Sequence, residues 1–420
     1  MTAPRDELAD ELLVDVEDVP VAVPPALPAW PRWVLAVAML VVACNLRPPL
    51  TSVGPVLNEI RAALPEWNTW VGFLTMVPVL CMGLAGPSAP GLARRWGAER
   101  VVLAGMAVLV AGLAVRGMAT PWPLFLGTAV IGAAIGVVGV LLPGLVKRDF
   151  RDHGTVMTGL FTMCLCWGAA FAAGVMVPLT EMLGDHWAWS LAAWSVPALC
   201  ATLIWAPMVP RRGSVPLVPP APVRGLWRNP LAWQVTLFMG LQSSLAYAVF
   251  GWLAPILRDR GLDAAAAGWM VSFSVVLQLP AALVAPVLAG RARDQRGAVV
   301  VALACTLTGL LGCLYLPVDG LQLWAAAAVL GIGQGAAFSV ALALIVLRSS
   351  DGHVAAQLSS MAQSVGYTVA AFCPMALGLL RDAAGSWDPA GPLFAAVAVA
   401  ALVAGLGAGR KLTLCGDDHR

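Results

Sequence analysis

The chain has 420 residues, of which 60% are hydrophobic and 11% charged, with 42 glycines, 17 tryptophans and a net charge of +2. Soluble domains run about 45–50% apolar and about 25% charged, so this composition excludes an ordinary water-soluble domain and reads as a polytopic membrane protein in a lipid bilayer. No basic stretch is long enough to mark a nucleic-acid partner.

Residues 1–30 are acidic from Asp6 to Asp18, then rich in Pro, Val and Ala. They have neither the basic start nor the apolar core of a secretory signal, and are expected to form a disordered cytoplasmic tail. The first apolar run, roughly 33–57, carries Arg47 slightly past its midpoint, within Asn45-Leu46-Arg47-Pro48-Pro49-Leu50-Thr51-Ser52. As a helix it covers roughly 37 Å, enough to cross a bilayer. An arginine at that depth costs from about 3 to more than 10 kcal/mol by different measures, so it is expected to face protein or water and to have a partner. Pro48 and Pro49 remove two amide donors and free the carbonyls of Cys44 and Asn45. Broken helix beside a buried charge is how membrane carriers build binding sites.

Apolar runs follow at roughly 68–90, 100–117, 122–146, 155–180 and 187–208, then 231–257, 266–289, 298–317, 321–347, 354–380 and 391–409. The fold class is therefore all-α and polytopic, with twelve transmembrane helices in two six-helix, pseudo-symmetric halves: 31–208 and 231–410. The stretch 209–230 is the expected cytoplasmic linker, rich in proline, with Arg211, Arg212, Arg224 and Arg228 and no acid; 411–420 is the C-terminal tail.

An even number of spans puts both tails on one side. The tails and even-numbered connectors hold 19 Lys/Arg, whereas the other face holds five: Arg61, Arg116, Arg258, Arg260 and Arg381. The basic-rich face is expected to be cytoplasmic, in a plasma (inner) membrane. A shift of 196 residues lays Ala89-Pro90 on Ala285-Pro286, Arg95 on Arg291 and Arg100 on Arg296; a shift of 200 lays Arg148 on Arg348 and His153 on His353. Parallel repeats place a site at their interface near mid-membrane, and the 196 shift sets Leu46-Arg47 against Leu241-Gln242-Ser243.

Arg47 is the leading binding residue, either as an anion-binding group or as a structural arginine bonding the freed carbonyls; Asn45 and Thr51 are its expected neighbours. Gln363 and Tyr367 are four apart on one helical face, and Gln242 and Tyr247 offer the same amide and phenol at the level of Arg47. Such groups orient a small polar solute, or else bond between helices for about 0.6 kcal/mol each. Thr158, Thr162, Gln278 and Gln334 are further candidates for the cavity wall. Gly132, Gly136 and Gly139 read as close helix packing. Gly331, Gly333 and Gly335 lie inside a span with no strand before them, so they make no phosphate loop. Eight of nine cysteines fall inside spans and read as apolar packing rather than a disulfide or metal site. No Asp, Glu, Lys or His lies near the centre of a span, and no nucleophile–base pair, His-Glu-x-x-His or metal cluster appears. That argues against an intramembrane enzyme, and no cofactor or metal is expected.

Four segments carry a resemblance: Asn45 to Pro55, Leu141 to Phe150, Gly240 to Tyr247 with Trp252 to Leu257, and Met361 to Tyr367. With them the chain resembles the major facilitator superfamily, and closely its cyanate-permease/nitroimidazole-transporter (CynX/NimT) branch, over about residues 31–410. The superfamily's loop between spans 2 and 3 usually reads Gly-x-Leu-Ala-Asp-Arg-x-Gly-Arg-Arg. Here it reads Pro90-Gly91-Leu92-Ala93-Arg94-Arg95-Trp96-Gly97-Ala98-Glu99-Arg100, with Arg94 in the aspartate's place. The resemblance implies an interior gate at Arg94, Arg95, Glu99 and Arg100 and at their repeats Arg291, Arg293, Asp294 and Arg296, with Glu99 standing in at reversed polarity. It also implies a secondary active transporter, usually monomeric, for a small anionic substrate such as cyanate, with a coupling proton allowed. Efflux of nitroimidazole-like drugs is the alternative, and a non-transporting membrane sensor the distant one.

The charge bias makes one topological prediction. Single cysteines at Ala221 and Thr120, in a cysteine-free background, are treated in intact cells with an impermeant maleimide. Label is expected at 120 and not at 221; the reverse pattern inverts the orientation.

Overall fold

The computed structural model describes residues 30–150, 154–209, 225–318, 320–350 and 352–414. The expected N-terminal tail, most of the linker, His153 and Cys415 lie outside them. Twelve helices are long and apolar enough to cross a membrane: α1 (Arg32–Ala63), α2 (Gly72–Trp96), α3 (Ala98–Arg116), α4 (Pro121–Val146), α5 (Val156–Met182), α6 (Trp187–Met208), α7 (Pro230–Asp259), α8 (Ala264–Arg291), α9 (Arg296–Tyr315), α10 (Leu321–Leu347), α11 (Val354–Ala384) and α12 (Ala390–Ala408). Among the described residues there is no strand, only a bridge between Ser349 and Leu414.

Three prolines fragment α1. Regular helix stops at Leu46, a four-residue turn of helix spans Pro48–Thr51, a 3-10 turn covers Gly54–Val56, and helix resumes over Leu57–Ala63. Each proline lacks an amide donor, so the ladder cannot run through. The span therefore reaches Ala63, beyond the expected end near residue 57. Helix α2 also runs past its expected end, to Trp96, which puts Arg94 and Arg95 in its last turn rather than in a loop. The connector to α3 is Gly97 alone, with φ 87°, a conformation in which a side chain would be strained.

Close packing is set by small residues. A side-chain carbon on Gly132 would run into the backbone of Pro78, and one on Gly136 would come within 2.6 Å of the Met82 carbonyl oxygen, which presses α4 onto α2. Gly139 faces nothing within 4 Å, so the third glycine of that expected stripe is not a packing residue. Gly83 on α2 meets Thr368 and Ser364 on α11, and Gly174 on α5 meets Trp269 and Ser272 on α8; these contacts join the halves.

Among the described residues the buried core is continuous between the halves at one end. One buried cluster runs through α1–α6 and takes in Leu245 to Leu257 of α7, Ala267 to Val275 of α8 and Ala370 to Leu377 of α11. These stretches lie toward the basic-poor face. A second cluster, with Val235, Phe238, Leu303, Leu344 and Leu358, is drawn from α7–α12 with Leu226 before them and Leu414 after, and lies toward the basic-rich face.

The glycine contacts can be tested by size. Gly132→Leu must displace backbone and is expected to cost about 1–3 kcal/mol, seen as a lower melting temperature in detergent. Gly139→Leu should leave it unchanged; equal losses at both positions would contradict the packing described.

Candidate functional site

A cavity with about 470 Å³ of empty space, part of it continuous with solvent, lies between the halves. Each wall is one helical face. Helix α1 gives Arg47 at its break, α5 gives Thr162 and Cys166, and α7 gives Ser243, Ala246, Tyr247 and Phe250. Helix α8 gives Gln278 and Ala282, α10 gives Gln334, Gly335 and Phe338, and α11 gives Tyr367. The spacings of three and four are those of residues that share a helical face.

Arg47 is half-buried, with its guanidinium carbon 5.6 Å from the ring centroids of both Phe250 and Phe338. Each ring offers about 0.5–2 kcal/mol of cation–π attraction. Among the described residues the guanidinium donates no hydrogen bond and joins no ion pair, so it does not bond the carbonyls freed by Pro48 and Pro49. The Cys44 carbonyl instead abuts Gly168 of α5, where a side chain would collide with it. The five N–H donors of Arg47 are therefore left for water or a ligand.

The other polar groups are neutral. Gln278 Nε2 donates to Gln334 Oε1 at 3.1 Å, and Gln334 Nε2 donates to the Leu245 carbonyl at 3.4 Å. The Tyr247 ring meets Tyr367 edge-on at 6.0 Å and Phe250 at 5.9 Å. Ser243 Oγ accepts from Gln242, and Thr162 Oγ1 donates to the Thr158 carbonyl.

Six expected wall residues line the cavity: Arg47, Thr162, Tyr247, Gln278, Gln334 and Tyr367. Five do not. Asn45 is buried and donates to the Val41 carbonyl one turn back, because its carboxamide bonds within α1. Thr51 is fully buried, and its hydroxyl is spent on backbone, donating to the Ala169 carbonyl of α5 at 3.1 Å and to the carbonyl of Arg47 itself at 3.3 Å. Gln242 sits one position off the α7 face and donates to the Met239 carbonyl and Ser243. Gln363, one turn nearer the basic-rich end than Tyr367, donates to Ser359. Thr158 is exposed one turn below Thr162. Sequence reading missed Ser243, Phe250, Phe338 and Cys166. Extending the faces of Tyr247, Gln334 and Thr162 by three or four residues reaches all of them.

Arg116, at the basic-poor end of its span as expected, is almost fully buried, donating to the Pro49 carbonyl at 3.1 Å with Nε and one Nη unpartnered. The α1 break supplies that carbonyl, so α1 carries one cation and anchors another.

At the basic-poor end the halves are sealed. Arg258 pairs with Glu59 at 2.8 Å and donates to the Pro55 carbonyl, while Arg61 pairs with Asp382 at 3.2 Å. Partly exposed pairs of this kind are worth only about 0–1 kcal/mol each. The larger element is Trp252, fully buried, whose indole N–H faces Thr75 Oγ1 and the Pro374 carbonyl and whose ring lies under Arg61.

At the basic-rich end the expected gate is arranged differently. Arg94, Arg95, Arg100, Arg291, Arg293, Asp294 and Arg296 are exposed. Instead of pairing across the halves, Glu99 pairs with Arg148 of its own half at 2.6 Å, and its carbonyl accepts from the Trp205 indole. The repeat reproduces this latch: Gln295 takes the place of Glu99, and Arg348 donates to Gln295 and to the carbonyls of Ala408 and Gly409. Burial lowers the Arg148 pKa, but the carboxylates of Asp149 and Glu99 outweigh it and raise the value. At Arg348 burial wins over the more distant Asp294, and the pKa falls.

The family model described as Major Facilitator Superfamily matches residues 35–317. The chain is 40% identical over 380 residues to the uncharacterized transporter YycB of Bacillus subtilis, covering 90% of this chain and 93% of that protein. It is 38% identical to the 2-nitroimidazole transporter of Escherichia coli, covering 90% of this chain and 96% of that one. It is 28% identical to the cyanate transport protein CynX of the same organism, over 84% and 91%. The crystal structure of a D-xylose-proton symporter superposes with a TM-score of 0.74 over 91% of this chain and 99% of that one, at 11% identity, which speaks to fold alone. The chain therefore belongs to the major facilitator superfamily, in its CynX/NimT branch, and is a multi-pass secondary transporter rather than an enzyme.

Proposed function

We propose that the transporter moves a small anion, or a planar solute with an electron-rich end, by alternating access, and that Arg47 holds that end. The observation that carries this is a half-buried guanidinium that lines the cavity, stacked by Phe250 and Phe338, with no hydrogen-bonding partner among the described residues. Burying a cation is favourable only when it is paired, and no acidic residue lines the cavity, so the substrate supplies the negative charge. The guanidinium's planar fork matches carboxylate-like or nitro oxygens, which a lysine ammonium does not.

Two relatives' names bear on the class: one protein is named for 2-nitroimidazole, another for cyanate. Phe250, Phe338, Tyr247 and Tyr367 give the cavity aromatic walls, which favour a ring over a three-atom ion. With the basic-rich face toward the cytoplasm, the end sealed by Trp252 is the outer one, and substrate reaches Arg47 from inside. The anion can be taken up or, as a drug, expelled; the site serves either direction.

Substitution at Arg47 tests the proposal. Arg47→Gln should nearly abolish binding and Arg47→Lys should weaken it, a loss of about 2–5 kcal/mol measured by titration calorimetry with 2-nitroimidazole and cyanate. Since the Arg47 guanidinium makes no hydrogen bond among the described residues, and a glutamine leaves the backbone bonds to its carbonyl in place, Arg47→Gln should keep the melting temperature of the unliganded wild type. Trp252→Ala, which removes a buried ring, should lower it by the equivalent of about 3–5 kcal/mol. Unchanged affinity in folded Arg47→Gln, with either ligand, contradicts the proposed role.

A further inference from the structure

The polar groups facing Arg47 from the other half form a chain whose direction is fixed. A backbone carbonyl only accepts, so the Leu245 carbonyl obliges Gln334 to present Nε2 to it. Gln334 Oε1 is then turned toward Gln278, which must answer with its own Nε2. The last member, Gln278 Oε1, is left without a partner among the described residues, on a residue that is 6% exposed and lines the cavity. Amide oxygen and nitrogen are usually interchangeable in such an assignment; here the carbonyl at the far end of the chain removes the ambiguity. The cavity thus sets a cationic donor on α1 against an oriented neutral acceptor on α8.

We propose that Gln278, oriented by Gln334, is a specificity residue that accepts a hydrogen bond from the substrate, and that the substrate class is a planar anion carrying an N–H or O–H donor away from its negative group. This rests on the proposed role of Arg47. It adds a second point of recognition: an analogue without the donor displaces water from the amide oxygen and leaves it unpaired, and such sites discriminate against it strongly. Gln334 is a positioning residue, since it acts by holding the Gln278 amide in one orientation. The tie from α10 through Gln334 to α7 also makes the acceptor part of the packing of the second half, so its direction persists when the site is empty.

Two matched probes of equal size test this: 4-aminobenzoate, which carries the donor, and 4-methylbenzoate, which does not. Affinities are measured by calorimetry in wild type and Gln278→Met, with cyanate, too short to need Gln278, as a report on Arg47. Wild type is expected to prefer 4-aminobenzoate by about tenfold or more, the worth of one buried hydrogen bond. In Gln278→Met that preference should disappear while the affinities for 4-methylbenzoate and cyanate hold. If Gln278→Met does not fold, Gln278→Asn, which withdraws the acceptor by one methylene, is read in the same way. No preference in wild type, or a preference that survives in the variant, overturns the role of Gln278 while leaving Arg47 intact. Cyanate and benzoate binding that survives Arg47→Gln overturns the Arg47 reading instead. No binding of any probe to wild type overturns both.

Discussion

The break in the first membrane helix governs the rest of the structure. A continuous helix would satisfy its own carbonyls and carry Arg47 at fixed pitch; Pro48, Pro49 and Pro55 forbid that. The consequences run outward from the break. The Cys44 carbonyl needs a glycine opposite it, which α5 supplies at Gly168, and the Pro49 carbonyl receives Arg116 from α3. The side chain of Arg47 is left stacked between rings of the other half and hydrogen-bonded to nothing in the protein that is described. Cation–π attraction of about 0.5–2 kcal/mol per ring does not replace the hydration of a guanidinium, so the residue needs water or an anion.

The two ends of the molecule are held by different physics. At the basic-poor end the halves share one apolar core, closed over by Trp252 and crossed by ion pairs that are individually weak. At the basic-rich end each half closes on itself, through Glu99 and Arg148 in one and Gln295 and Arg348 in the other. These latches lie within the halves and help keep each six-helix bundle rigid, which suits a rocking motion about the cavity. Only the first latch is an ion pair; in the second the Arg348 cation donates to neutral acceptors.

Much of this was legible in the sequence. Span number, the two halves and the position of Arg47 follow from hydropathy and charge, because lipid imposes length and polarity on every crossing helix. The repeat even pairs Glu99 with Gln295 and Arg148 with Arg348. Side-chain direction was harder to read. The shift of 196 sets Arg47 on Ser243, which does line the cavity, yet the more polar Gln242 beside it was preferred; one position is 100° on a helix. Asn45 and Thr51 do not line the cavity, because short polar side chains bond back to their own helix or to the next backbone. The partner of Arg116 could not be read, because nothing in a linear sequence marks a carbonyl left vacant on another helix. The aromatic walls, Phe250 and Phe338, were passed over as ordinary apolar residues, although they lie on the same faces as Tyr247 and Gln334.

The central claim is that Arg47 receives the substrate's negative end, and locating a bound anion tests it most directly. A structure of the protein with 4-iodobenzoate, whose iodine is found by anomalous scattering, fixes both position and direction of the ligand. The account predicts the carboxylate within hydrogen-bond distance of the Arg47 guanidinium and the iodine toward the second half. An ordered ligand in the cavity with its carboxylate turned away from Arg47 would contradict it.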